Sequence, residues 1–165
     1  MANTRPSVIV VGVDGTSAGQ AALAFAMREA SLRGSALEVV TAWEWNVPYD
    51  TAMCGQPADT RTRAEQAQEA AVSTALATTT APPVISRHVI EGDAGIALVG
   101  IARTADYLVV GTANKNALKR ALLGSVSHYC VRHATCPVMV VPQAQPVAGE
   151  SPGAAMEDEV PQPVP

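Results

Sequence analysis

A glycine at position 111 closes the apolar run YLVVG, and a second, Gly124, opens a helical stretch through Ser125. Between them lies a polar, basic loop, TANKNALKRALL. Backbone N–H groups at a helix N-terminus have no intrahelical acceptor and lie at the positive end of the helix dipole, so they attract anions. Glycine lets the chain approach a ligand closely, and a small hydroxyl adds one more donor. The chemistry these residue types support is therefore anion binding, with the look of a phosphate cradle.

Such a cradle needs a strand before it and a helix after it, and the rest of the chain supplies a repeating frame of the same kind. Short apolar, β-branched runs occur at 8–13 (VIVVGV), 36–42 (ALEVVTA), 84–90 (VISRHVI), 107–111 (YLVVG) and 137–141 (PVMVV). These read as five strands. Helical patterns lie between them. Ser17 to Arg33 has capping-box spacing at Ser17 and Gln20, an apolar stripe of Leu23, Ala26, Met27 and Ala30, and Gly34 to close it. Thr62 to Ala77 carries Ala64, Ala67, Ala71, Val72, Ala75 and Leu76 on one face. Ala94 to Arg103 and Val126 to His133 complete four helices. Alternating strands and helices imply right-handed crossovers and an α/β fold: an open five-stranded parallel sheet with helices on both faces. Ligands of such sheets bind beyond the carboxyl ends of the strands, where the strand order reverses. If the first and fourth strands are neighbours there, Gly12 to Gly15 faces Gly111 onward.

The 165 residues, 48% of them hydrophobic, suit one domain over 1–142 and a short extra segment. Residues 143–165 are rich in proline and acids, without an aliphatic cluster, and read as a disordered tail. The tail also carries the charge. The net charge of −4 arises there, because residues 1–141 hold eleven acids and eleven bases. No acid occurs from Tyr107 to Gly149, whereas Lys115, Lys119, Arg120 and Arg132 do. That local excess favours phosphate but is too small for a nucleic-acid footprint. No apolar run nears the roughly 18 residues that span a bilayer, and Asp14 interrupts the first one, so a cytoplasmic protein without a membrane partner is expected. Three cysteines without CxxC spacing argue against a disulfide framework or a zinc site, and Cys130 and Cys136 are expected to be reduced and buried. His88, His128 and His133 are scattered and have no metal-ligand spacing.

Three segments together, VIVVGVDGTSAGQAALAFA, EGDAGIALVGIARTADYLVVGT and LLGSVSHYCVRHATCPVMVV, resemble the universal stress protein family over about residues 6–142. The resemblance implies a Rossmann-like fold of the adenine nucleotide alpha hydrolase type, a cytoplasmic homodimer formed through the last strand (Pro137 to Val141), and a regulatory role in stress response. It further implies that adenine nucleotide is bound as ATP, alone or with Mg2+. Carried over by position, Gly12, Asp14 and Ala42 would surround the nucleoside, and Gly111, Thr112, Asn114, Lys115, Gly124, Ser125 and Val126 the phosphates. In ATP-binding members the pattern is Gly, two residues, Gly, nine residues, then Gly and a hydroxyl residue. Asn114 stands at the second glycine. Asparagine tolerates positive φ better than other side chains do, which would keep the loop intact. A requirement for no side chain would instead make Asn114 crowd the triphosphate.

Three functions remain open on the sequence: a regulatory ATP binder, a dimeric interaction protein without nucleotide, and a slow ATP hydrolase. Asp14 is either a ligand contact or a local cap for the turn after the first strand. Trp43, Trp45 and Tyr49 place half of the aromatic residues in one long connection, which is expected to lie near the nucleotide.

Overall fold

The computed structural model describes residues 6–45, 57–112 and 123–143. Five strands, β1 (Val8–Gly12), β2 (Ala36–Trp43), β3 (Ile85–Glu91), β4 (Tyr107–Thr112) and β5 (Val138–Pro142), form one sheet in the order β3-β2-β1-β4-β5. All four pairings are parallel, with Val8 opposite Ala36, Ile9 opposite Tyr107, Leu37 opposite Ile85 and Leu108 opposite Val138. Four helices alternate with them: α1 (Ser17–Arg33), α2 (Pro57–Ala77), α3 (Ala94–Ile101), continued by a 3-10 turn over Ala102–Thr104, and α4 (Ser125–His133). The expected α/β architecture is thus observed. The tail from 144 onward, Tyr49 and Cys54 lie outside the described residues.

Because side chains alternate across a strand, the central strands feed two separate cores. Ile9 and Val11 of β1, with Leu37, Val39 and Val109, pack under α1 and α2. Val10, with Val40, Leu108 and Val110, packs under α3 and α4. The chain therefore leaves β1 over one face and β4 over the other. These two strands are neighbours, and between their C-terminal ends a crevice opens.

Helix α1 buries the expected stripe of Leu23, Ala26, Met27 and Ala30, and Gly34 closes it at φ 65°, its N–H donating to Ala30 O. Its start differs from the sequence expectation. Thr16, not Ser17, is the N-cap, and its hydroxyl accepts from Gly19 N at 3.2 Å. The reason is upstream: Asp14 Oδ1 accepts from Thr16 N (3.0 Å) and Oγ1 (2.6 Å), which fixes Thr16 at the helix mouth. Helix α2 begins at Pro57, five residues before the expected Thr62, in a polar stretch without apolar periodicity. Leu76 is turned outward on α2, whereas Ala71, Val72 and Ala75 pack on the sheet.

Cys130 on α4 is fully buried and Cys136 half-buried, both as free thiols. Burial, and to a smaller degree the charge of Asp93, pushes the Cys130 thiol up from 9.0 to about 11. The folded chain holds this proton through the range in which an unfolded chain releases it. This contribution to stability is therefore intact below pH 9 and lost as pH rises from 9 to about 11. Native Cys130 should resist iodoacetamide at pH 8 and become labelled once urea unfolds the chain, as mass spectrometry of the tryptic peptide would report. Labelling of native protein at the unfolded rate would contradict its burial.

Candidate functional site

The crevice at the C-terminal edge of the sheet is a cleft of about 250 Å3. Its base is made by the ends of three strands: Gly12 of β1, Val40 and Ala42 of β2, and Val110 and Gly111 of β4. Its walls are the first turns of three helices. Thr16, Ala18 and Gly19 come from α1, Ala94 and Leu98 from α3, and Gly124, Ser125, Val126 and Ser127 from α4. In a parallel sheet every crossover helix starts at this edge, so three positive dipole ends point to one space.

The three helix starts are not equivalent. On α1 the Thr16 side chain serves as cap, and on α3 Asp93 Oδ1 accepts from Ile96 N at 2.9 Å. On α4 the capping position is Gly124, which has no side chain to offer, and no side-chain cap bond is made there. The Gly124 carbonyl is occupied by His128 N at 2.8 Å and by the Ser127 hydroxyl at 3.1 Å. The N–H groups of Ser125, Val126 and Ser127 have no intrahelical acceptor. Among the described residues this helix start is therefore left without a side-chain cap, and its first residues border the cleft.

Asp14 is the one ionisable side chain among the described wall residues. Its Oδ1 is taken up by Thr16, so the local-cap reading holds for that oxygen, while Asp14 also borders the cleft. The carboxylate lies over the start of α1 because residue 19 is glycine: a Cβ there would stand 2.5 Å from Asp14 Oδ1. Val40, Ala42, Leu98, Val110 and Val126 give the cleft an apolar lining beside these polar groups. Such a cleft suits a flat, mostly apolar ring with a hydroxyl-bearing middle and an anionic end.

Of the residues singled out from the sequence, Gly12, Asp14, Ala42, Gly111, Gly124, Ser125 and Val126 are brought together in this wall. Thr112 is buried with its hydroxyl unpartnered among the described residues and is not part of the wall. Asn114 and Lys115 lie outside the described residues, as do Lys119 and Arg120. Trp43 and Trp45 are half-buried at and beyond the end of β2, and neither lines the cleft. The sequence did not single out Thr16, Gly19, Leu98 or Ser127. The spacing of Gly19, in the first turn after a threonine cap, was the one usable signal among them.

Residues 15–19, GTSAG, have the spacing of a hydrolase nucleophile elbow. Ser17 is here the first residue of α1, outside the cleft wall, and no histidine, lysine or cysteine is among the described wall residues. That run is a helix start. Among the described residues no group of three or more His, Cys, Asp or Glu could hold a metal ion, and no helix is long and apolar enough to cross a membrane.

Comparison with known proteins agrees with the fold. The family model of the Universal stress protein family matches residues 7–142. A universal stress protein of Mycobacterium tuberculosis is 34% identical over 153 residues, covering 82% of this chain and 48% of the relative. The chain thus spans about half the length of the curated relatives it matches. Among solved structures, a universal stress protein in complex with cAMP superposes with a TM-score of 0.54 at 23% identity, over 86% of this chain and 100% of the other. A universal stress protein family protein of Arabidopsis thaliana with AMP bound gives 0.56 at 18% identity, over 84% and 93%.

Proposed function

Because the chain belongs to the universal stress protein family, we propose that its cleft binds an adenine nucleotide as a regulatory ligand, with the phosphate on the N-terminus of α4. The observation that carries this reading is the uncapped start of α4 at Gly124, opening onto the same space as the ends of β1 and β2. Two similar folds hold cAMP and AMP, which agrees with a site of this shape.

In this reading the adenine ring lies on the apolar lining against Val40, Ala42 and Leu98, and Asp14 accepts a hydrogen bond from a ribose hydroxyl. Gly111, Gly124, Ser125 and Val126 receive the phosphate. Where Mg2+ accompanies ATP, it supplies charge neutralisation of the phosphates. Hydrolysis would be slow at most, because Asp14 is the one ionisable side chain of the described wall and its Oδ1 is already engaged by Thr16. The direct test is to denature freshly purified protein and look for released adenine nucleotide by chromatography, followed by titration of the native chain with AMP, cAMP and ATP. Absence of all binding would favour the interaction-protein reading; recovery of binding in Asn114→Gly would then identify that substitution as the cause.

The exposed edge of β5 is the second part of the proposal. Met139 is 42% exposed on a strand paired on one side only. Pairing of two such edges about a two-fold axis would cover it. Light scattering at micromolar concentration should return twice the chain mass, and a monomeric mass would exclude this dimer.

A further inference from the structure

Helix α2 contributes no residue to the described cleft wall, yet one of its side chains reaches toward it through a buried chain of hydrogen bonds. Gln68 is 3% exposed. Its Nε2 has three acceptors in reach of its two hydrogens, His88 O (3.0 Å), Thr41 Oγ1 (3.1 Å) and Val39 O (3.2 Å), so that one hydrogen is shared. Thr41, itself 4% exposed, donates in turn to Val13 O at 2.8 Å. Val13 N is held by Val40 O at 2.9 Å. The chain of bonds ends on the residue before Asp14, and Thr41 directly precedes Ala42.

The sheet does not need this polar group for packing. The neighbouring contacts of α2 with the core are Ala71, Val72 and Ala75, and an apolar side chain of similar length would fill the same space. Nor would its removal strand a buried donor, because Thr41 keeps Val13 O as acceptor and the strand carbonyls only accept. What the amide adds is orientation of the Thr41 hydroxyl: by donating to a lone pair of Thr41 Oγ1 it directs that hydroxyl's own hydrogen at Val13 O, the bond that ties the end of β2 to the turn after β1. We infer that Gln68 is a positioning residue for nucleoside recognition: through the Thr41 hydroxyl it steadies the tie between Val13–Asp14 and Ala42, the parts of the cleft wall that would take adenosine. This inference rests on the nucleotide-binding reading above.

The test compares adenosine and AMP on the full chain, by calorimetry or competition, for wild type, Gln68→Met and Thr41→Val. Both ligands should weaken by the same factor of about five in Gln68→Met, because the loss is at the nucleoside end and does not involve phosphate. Thr41→Val should give a similar loss, and the double variant little more, because both break one chain. In the free protein, amide exchange at Val13 should quicken in Gln68→Met while that of Val10, earlier on β1, stays unchanged. Unchanged affinities in Gln68→Met, or a loss confined to AMP, would overturn the positioning role while leaving the proposed function standing. Wild-type protein that binds neither ligand would overturn both. Should Gln68→Met fail to fold, Thr41→Val carries the same expectation and the same two ways to fail.

Discussion

Gly124→Asp should weaken AMP binding about 30-fold or more while making the free protein more stable. Two opposed consequences follow from one carboxylate. At the N-cap of α4 it would accept the free amides and favour the positive end of the dipole, a gain of about 0.5–1 kcal/mol over glycine. The backbone permits it: φ is −63° at Gly124, and among the described residues an added Cβ would have Ser127 Oγ, at 3.7 Å, as its one close neighbour. For a chain of this size that gain corresponds to roughly 1–4 °C in Tm. The same carboxylate takes the donors a phosphate would use and repels its charge. At an effective dielectric near 20, like charges about 4 Å apart cost on the order of 2–4 kcal/mol, which sets the lower bound on the loss of affinity. Thermal melting and calorimetry on one sample measure both. A variant that is stabilised but binds AMP as wild type does would move the phosphate away from α4.

Gly111→Ala should destabilise the fold by about 3 kcal/mol, roughly 6–12 °C in Tm, the largest stability effect expected of a single methyl group in this chain. An added Cβ would stand 2.3 Å from Ala18 O and 3.1 Å from Gly19 N. Both are backbone atoms in the first turn of α1, so no rotamer change relieves the clash. Either α1 lifts from β4 or the end of β4 is displaced, and both movements disturb the cleft. A melting temperature within 2 °C of wild type would show that the close approach of α1 to Gly111 is misplaced.

That glycine illustrates what the sequence could and could not convey. The strand reading assigned Gly111 to a turn where the chain approaches a ligand. In the structure it borders the cleft, but its missing side chain is demanded by the backbone of α1, a contact some ninety residues distant in sequence. Strands were readable because each is a short β-branched run, and helices α1 and α4 because a glycine marks one end of each. The start of α2 was not, since residues 57–61 have no apolar period and the helix there is carried by its packing further along.

Within the site, residues with a recognisable spacing, such as Gly124 and Ser125, were found, and Asp14 was found as an acid ending a strand. Leu98 and Val110 were missed because an apolar residue that lines a cleft has the same sequence signature as one that fills a core. Both indeed belong to the core beneath α3 and α4. Gln68 was invisible for the opposite reason. A glutamine on a polar helix reads as solvated surface, and only the fold reveals that it is buried among strand carbonyls. The adjacency of β1 and β4, on which the whole cleft depends, required the strand order itself.

The central claim is that one cleft, closed at its phosphate end by the bare N-terminus of α4, binds a single adenine nucleotide. Calorimetric titration of AMP into the wild-type chain and Gly124→Asp tests it most directly. Saturable binding at one site per chain in wild type, with a loss of about 30-fold or more in the variant, is the predicted result. No measurable binding by wild type, or equal affinity in the two proteins, would contradict it.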